Sequence, residues 1–306
     1  YEISCSLVGS EMCIRDRKMN PMNKQSLKER LAHYKNSPVS LILLILVLIC
    51  AALTVITLIF IVIYILIRGI PHLSLSLFSP TYNSDNVSML PAIINTFIMT
   101  LISLIIAVPL GIFSAIYLVE YAKRGNKLVG IIRMTTETLS GIPSIVYGLF
   151  GFLFFLTTLK LGYSILSGAL TLAIMILPLI MRTTEEALKS VPDSYREGSF
   201  GLGAGKLRTV FRIVLPPAIP GILSGIILAT GRICGETAAL IFTAGTGTKI
   251  ALNLMSSGRT LAVHMYNLSS EGLHIDECYA TAVVLLALVA VINSISGLLA
   301  KKLSKG

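Results

Sequence analysis

The stretch EEALKSVPDSYREGSFGLGAGKLRTVFRIVLPPA, Glu185–Ala218, decides how this sequence is organised. It overlaps a polar interruption, 182–212, that carries ten charged residues between two long apolar segments. Pro192 and the short oxygen-bearing residues after it are typical of a helix start, because proline tolerates the first turn and such side chains cap free N–H groups. The pattern predicts a short helix, a glycine turn at 201–205 and an amphipathic helix at 206–215 that ends at the two prolines after it.

Composition indicates the class of protein. The 306 residues are 54% hydrophobic and 13% charged, with a mean hydropathy of +0.82, whereas a soluble domain carries about 25% charged residues. This is the composition of a polytopic membrane protein. The net charge of +10 is spread among short loops without a basic stripe and stacking aromatics, so we interpret it as orienting bias and not as nucleic-acid binding. The five cysteines imply no disulfide framework.

Apolar runs of about 20 residues are long enough to cross a bilayer. They predict a six-helix transmembrane domain, 41–303, with spans at about 41–67, 91–119, 139–159, 161–181, 216–243 and 278–300. Residues 1–18 match neither a signal peptide nor the basic arm at 19–40, and we expect them to be a non-native prefix, with the start at Met19 or Met22. The arm, the 182–215 loop and the C-terminus share one side, which carries most of the lysine and arginine and is expected to be cytoplasmic.

One predicted span contains a helix breaker. GIPSIVYGLFG, Gly141–Gly151, places Pro143 at a depth where only protein groups can replace its missing hydrogen bond. Such a break either kinks a packed helix or lines a cavity. A kink is favoured, because glycine and proline are common in membrane helices.

No catalytic, cofactor or metal site is predicted. Gly205-Lys206 resembles the end of a phosphate loop, but Phe200 and Leu207 stand where glycine and a hydroxyl residue are required. The histidines show no metal or triad spacing, and each is expected at an interface or in a loop. They are His33, His72, His264 and His274.

The costly feature inside a predicted span is GRICGETAAL, which carries Arg232 and Glu236. A charge near the bilayer centre costs about 2.5 to 3.5 kcal/mol, so it faces a partner or an aqueous path. At i and i+4 the two side chains share a helix face and can pair. They form either a structural ion pair or an anion path in which Glu236 holds Arg232 until a tetrahedral oxyanion arrives. On the same helix, Gly221-xxx-Gly225 and Gly231-xxx-Gly235 predict close packing against a neighbouring helix.

The quoted stretch resembles the coupling loop of bacterial ABC importer membrane subunits. That family's pattern is EAA, three residues, G, nine residues and I-x-LP, and the spacing here is the same. Two small residues replace the alanines, so close docking remains compatible. The residues that match the pattern, taken in order, are Glu197, Gly198, Ser199, Gly203, Ile213, Leu215 and Pro216.

Three runs are together similar to PstA-type phosphate permease subunits: GIPSIVYGLFG, the coupling loop and RICGETAAL. The resemblance covers roughly 41–303. It implies an all-α type I ABC importer permease fold in the bacterial plasma (inner) membrane, with both termini cytoplasmic. It also implies two ATPase subunits of PstB type, a second permease of PstC type and a periplasmic or lipid-anchored phosphate-binding protein of PstS type.

The resemblance therefore predicts a permease subunit of an ATP-driven phosphate importer, without catalytic chemistry of its own. Three alternatives remain open: an importer of another oxyanion such as molybdate or sulfate, the paired PstC-type subunit, and assembly as a homodimer. A membrane enzyme is disfavoured, because only Arg232 and Glu236 form a polar constellation within the spans. A channel or passive scaffold would not need the coupling loop.

Overall fold

The computed structural model describes residues 38–123 and 125–303, with side chains from 39 to 298. The predicted prefix at 1–18 and all but the end of the basic arm at 19–40 lie outside the described residues. The described chain is helical and contains no β-strand, which confirms the predicted all-α fold class. It divides into two compact units, Tyr1–Ile63 and Tyr64–Gly306.

The helices follow one another with short connections. Their bounds are α1 Pro38–Gly69, α2 Leu90–Ile116, α3 Lys127–Ser140, α4 Ser144–Gly151, α5 Ile165–Lys189, α6 Asp193–Gly201, α7 Lys206–Thr209, α8 Leu215–Cys234, α9 Ala238–Thr243, α10 Leu261–Glu271 and α11 Ile275–Leu303. Short 3₁₀ helices, Ile70–His72 and Leu75–Phe78, lie between α1 and α2. Helices α2, α4 and α7 each continue as a π-helical turn, at Tyr117–Tyr121, Phe152–Thr158 and Val210–Val214.

The described residues contain five helical segments long and apolar enough to cross a membrane, and a sixth if α3 and α4 form one bent span. In the first unit, residues 39–63 of α1 carry apolar side chains on every side of the helix, which is typical of a membrane-spanning helix. In the second unit, α5 is the central helix and packs against both α2 and α8. The core between these helices is formed by residues such as Met99, Leu172, Ile176 and Ile233.

Small residues set the approach of α8 to α5. A side chain at Gly221 would collide with Ala187, and one at Gly225 would collide with Thr183. The first small-residue motif therefore packs helix against helix as predicted. The second motif does not: a Cβ on Gly231 would meet nothing nearer than Asn293, at 3.9 Å.

Two predicted spans are broken. The axes of 127–140 and 144–158 differ by 104°, so the predicted span 139–159 begins at a sharp corner, because Pro143 cannot continue the helix. The predicted span 216–243 is interrupted between α8 and α9, at Gly235–Thr237. The glycine at this point ends α8, and a new helix starts three residues later.

Two other differences affect the charged stretch. Helix α5 continues to Lys189, past the predicted end at Met181, because Arg182 pairs with Glu186 and Lys189 with Glu185 at helical spacing. The second helix does not end at Pro216, because the chain is helical from Lys206 to Cys234. The π-helical turn before the prolines lets α8 begin with residues whose missing N–H groups are tolerated in a first turn.

Candidate functional site

The short helix predicted in the charged stretch is α6. It starts after Pro192, which occupies the N-cap position, and Asp193 lies in its first turn, where a carboxylate is favoured by the helix dipole. Helix α6 follows the end of α5 in the chain after a short connection. We call the end of the second unit that carries α6 the loop end.

The motif residues of α6 divide between an outer and an inner face. Glu197 and Gly198 are exposed, together with Tyr195 and Leu202, and Leu202 is 91% exposed. Ser199 is buried and its hydroxyl lies 2.9 Å from the hydroxyl of Thr209. The outer face therefore offers a tyrosine and a leucine beside a glycine, an arrangement that allows another backbone to approach closely.

Gly203 has a structural reason to be glycine. Its φ is +77°, in the left-handed region that other residues enter only with strain. The turn reverses the chain between α6 and α7, and so brings Ser199 opposite Thr209. The spacing of the sequence motif from Glu197 to Gly203 thus runs from the middle of this short helix to its left-handed terminator.

The last three motif residues lie in the continuous helical run. Ile213 belongs to the π-helical turn, and Leu215 and Pro216 open α8. Within this turn the buried residues are Val210 and Val214. They join a cluster with Leu188 and Val191, so the loop is fastened to α5 by apolar packing as well as by the chain itself.

Arg196 is a residue of the loop that the sequence analysis did not single out. Its guanidinium lies 2.7 Å from the Glu120 carboxylate and 3.2 Å from Asp193. It also donates to the carbonyl oxygens of Leu188, at 2.9 Å, and Val191, at 2.8 Å. A signal was present in the sequence, since Asp193 and Arg196 stand at i and i+3 on α6, a spacing at which opposite charges pair.

A cavity of about 820 Å³ opens beside this ion pair at the loop end. Its lining combines the start of α3 with α6 and the ends of α2 and α5. The basic residues along it are Lys123, Arg133, Lys189, Arg196 and Lys206, and the acidic ones are Glu120 and Asp193. Several of these charges are paired, Arg133 and Lys189 with Glu185.

The two broken spans pack against each other. A Cβ on Gly148 of α4 would lie 2.8 Å from the Cα of Ala239 in α9, so only glycine allows this approach. The Tyr147 hydroxyl donates to the carbonyl oxygen of Leu139 at 2.7 Å and so bridges the corner between α3 and α4. Pro143 thus marks a structured break inside the bundle, because a freed backbone group is satisfied by protein.

Arg232 lies in the last turn of α8 and Glu236 lies within the second break, and the two side chains do not pair. Because α8 ends at Cys234, the spacing that would align them on one helix face is lost. Glu236 is 9% exposed and accepts from the backbone N–H of Ala239 at 3.0 Å, which caps α9. Among the described residues, no ion pair within 4.0 Å includes Arg232.

The partly exposed Arg232 lies in the last turn of α8, where a cation is stabilised by the helix dipole. Tyr147 of α4 is close enough to interact with it electrostatically, so this cation lies near the place where the two broken spans meet.

The other end of α2 carries a second polar cluster, at what we call the opposite end. The Asn95 amide donates to the carbonyl of Lys249 at 3.1 Å and accepts from the N–H of Ala251 at 3.0 Å. Arg259 is 5% exposed, and its guanidinium carbon lies 4.4 Å from the centre of the Tyr82 ring. In the part of the chain that the structure describes, its Nη2 has no hydrogen-bond partner.

His264 belongs to this cluster. It is fully buried on α10, so the expectation of an interfacial or loop histidine is wrong for this residue. Burial lowers its pKa from 6.5 to about 3, the Arg259 charge acts in the same direction, and the Val87 backbone opposes the shift. Neither ring nitrogen has a hydrogen-bond partner among the described residues, and the neutral ring meets Tyr82 edge-on at 6.1 Å.

The arrangement of broken spans and an outlying helix agrees with what the chain is related to. The family described as binding-protein-dependent transport system inner membrane component matches residues 107–306. The chain belongs to this family. An inner membrane component of this kind is the permease subunit of an ABC importer, which is the coarse function predicted from the sequence.

Relatives of this inner membrane component have informative names. The chain is 38% identical over 240 residues to the probable ABC transporter permease protein YqgI of Bacillus subtilis (strain 168), covering 73% of this chain and 81% of the relative. It is 36% identical over 205 residues to the phosphate transport system permease protein PstA 1 of Mycobacterium tuberculosis (strain CDC 1551 / Oshkosh), covering 66% and 67%. These matches confirm the resemblance to PstA-type permeases.

A solved structure supports the fold. A chain of the bacterial alginate ABC transporter, crystallised in complex with an alginate pentasaccharide-bound periplasmic protein, superposes with a TM-score of 0.66. The alignment covers 89% of this chain and 98% of that chain at 15% identity. At this identity the likeness concerns the fold alone, and it confirms the importer permease architecture.

Proposed function

We propose that this inner membrane component is the permease subunit of an ATP-driven importer of inorganic phosphate. The identity with PstA proteins supports phosphate as the solute. The observation that carries the site is Arg232, a partly exposed cation near the junction of two broken spans that has no ion-pair partner among the described residues. A guanidinium binds tetrahedral oxyanions through two parallel hydrogen bonds, so a phosphate that reaches this junction would meet a matched donor pair.

Glu236 has a different role from the one expected. Because its carboxylate caps α9, it keeps the break in place and need not be displaced when an anion arrives. Irregular backbone at membrane depth is tolerated only where protein or water satisfies it, and discontinuous helices of this kind form substrate sites in other transporters. In the proposed solute path, Arg232 therefore binds the anion and Glu236 supports the helix break.

The proposal places the loop end in the cytoplasm, with both termini on the same side. The outer face of α6, which includes Glu197 and Gly198, docks into a groove on an ATPase subunit of PstB type. A second permease subunit of PstC type completes the path, and a phosphate-binding protein of PstS type delivers the solute to the other side. Energy comes from the ATPase, since the sequence of this chain lacks a phosphate-loop motif.

Uptake of radiolabelled phosphate tests the solute. The chain is expressed with its partner subunits in cells that lack their own phosphate permease, and unlabelled arsenate, sulfate and molybdate are added as competitors. We expect phosphate and arsenate to compete, because both are tetrahedral hydrogen-bond donors, and sulfate and molybdate to compete weakly. Uptake that only molybdate or sulfate suppresses would make this an importer of that oxyanion.

The same assay tests Arg232. Arg232→Gln should abolish uptake, and Arg232→Lys should retain part of it as a point charge without the paired donors. Lys249→Gln, which removes an exposed cation at the opposite end, is the control and should transport normally. Wild-type uptake by Arg232→Gln would assign Arg232 a purely structural role.

Glu197→Lys tests the docking face. The exposed carboxylate lies on the outer side of α6 and contributes nothing to the fold, so insertion and subunit assembly should be unchanged while phosphate-linked ATP hydrolysis is lost. Unchanged uptake at normal membrane levels would remove α6 from the mechanism.

A further inference from the structure

One side chain of α6, Arg196, contacts both the π-helical turn that ends α2 and the end of α5. The Arg196 guanidinium contacts Glu120 with both Nη2, at 2.7 Å, and Nε, at 3.1 Å. Its remaining donors go to the carbonyl oxygens of Leu188, in the last turn of α5, and Val191, just after that helix, and to the carboxylate of Asp193. The side chains of Arg196 and Glu120 are only 14% and 8% exposed, so the pair is shielded from water and is strong when intact.

The carboxylate partner lies in an unusual backbone segment. Glu120 belongs to the π-helical turn Tyr117–Tyr121 that ends α2, and π-helical turns are less regular segments that recur at functional sites. The other side of the loop reaches the same turn, since the Lys206 ammonium lies 5.1 Å from the centre of the Tyr121 ring. Arg196 in α6 and Lys206 in α7 therefore both contact the π-helical turn that ends α2.

That span leads to the break near Arg232. Helix α2 packs along α5, and in its middle the hydroxyl of Thr100 contacts the thiol of Cys234 at 3.9 Å. Cys234 is the last residue of α8, immediately before the break. A displacement of α6 thus has two routes to the solute path: directly along the chain through α7 and α8, or through Arg196 and Glu120 into α2.

We infer that Arg196 is a positioning residue that makes α2 move with the docking helix, so that closure of the ATPase acts on the break near Arg232 through α2 as well as through α8. This rests on the proposed docking role of α6. An ion pair of this geometry resists both separation and rotation, because the planar guanidinium holds the carboxylate with two donors. The apolar contacts of the loop fix its distance from α5 but leave it freer to rotate.

The test uses the complete importer in proteoliposomes and measures two rates on the same sample: phosphate taken up, and ATP hydrolysed. The ratio of the two rates distinguishes a loss of coupling from a loss of assembled importer, because a variant that merely assembles poorly lowers both rates and leaves the ratio unchanged. We expect Arg196→Gln to lower phosphate transported per ATP at least tenfold, and Arg196→Lys to lower it by a smaller factor. Lys127→Gln, which removes an exposed cation of α3, is the matched control and should keep the wild-type ratio.

A double-mutant cycle decides whether the pair acts as a unit. Glu120→Gln should give the same loss as Arg196→Gln, and the double variant should lose no more than either one. An unchanged ratio in Arg196→Gln, or losses that multiply in the double variant, overturns the inference. If the wild-type importer takes up no phosphate, the proposed solute fails separately, and the ratio is measured with the oxyanion that it does transport.

Discussion

Arg196, which is largely shielded from water, and the buried Arg259 lie near the two ends of α2, and they are held in opposite ways. Arg196 bonds to a buried carboxylate and to two carbonyl oxygens from neighbouring elements. Arg259 stacks on Tyr82 and has no carboxylate partner within 4.0 Å in the described part of the chain. Arg196 holds several segments in position relative to one another, whereas Arg259 is held by the fit of its guanidinium against the Tyr82 ring.

The most damaging change should be the loss of the partnered charge. Arg196→Met leaves Glu120 buried without a counter-charge, and breaking one side of a buried pair costs about 3 to 5 kcal/mol. Arg259→Met loses a cation–π contact worth about 0.5 to 2 kcal/mol and leaves no carboxylate behind. Thermal unfolding in detergent should therefore show the larger fall in midpoint for Arg196→Met. Equal falls in the two variants would mean that the comparison is mistaken.

The pH dependence of stability should come from the opposite end. The pKa of His264 is about 3 in the folded protein, against the 6.5 that is usual for a histidine, so below pH 6.5 the unfolded state binds a proton that the folded state does not. The contribution of neutral His264 is fully present above pH 6.5 and falls as the pH drops towards 3, by up to about 1.4 kcal/mol per pH unit. Unfolding midpoints at pH 7.5 and 5.0 measure this slope.

Two variants assign that slope to one residue. His264→Phe keeps an aromatic ring against Tyr82 and should make the midpoint less sensitive to acid. His72→Phe changes an exposed histidine, with a side chain 43% exposed, and should retain the wild-type sensitivity. The opposite result for the two variants would show that the neutral ring of His264 is not the acid-labile group.

The loop end should be sensitive to backbone geometry as well as to charge. Gly203→Ala places a side chain at a φ of +77° and should cost about 1 to 2 kcal/mol. Gly201→Ala is the control, because its Cβ would meet nothing within 4 Å and its φ is not positive, so stability should be unchanged or slightly higher. If both variants unfold alike, the left-handed turn is not a constraint on α6.

The smallest expected effect concerns the corner between α3 and α4, which lies between the two ends. Tyr147→Phe removes the hydrogen bond to Leu139 and should cost about 1 kcal/mol. Tyr163→Phe changes a half-exposed tyrosine and should be neutral. A shift in the unfolding midpoint for Tyr147→Phe no larger than for Tyr163→Phe would show that the corner is held by packing alone.

Much of the architecture was predictable from periodicity and composition. The apolar runs placed the long helices, and the proline and glycines around α6 placed its start and its terminator, because these residues restrict the backbone locally whatever surrounds them. Glu197 and Gly198 were therefore found on a helix where the motif predicted one. The interior of the loop was less predictable: Arg196 became important only because Glu120, 76 residues away, meets it.

The sequence alone determined that this chain is a helical membrane protein with a structured polar loop, since hydropathy and local backbone preferences are properties of neighbouring residues. Only the tertiary structure decided that Arg232 and Glu236 do not pair, because α8 ends between them and the i to i+4 spacing no longer aligns them on one helix face. It also decided which charges are partnered. Ion pairs between distant segments depend on how helices pack, and no spacing along the chain encodes that contact.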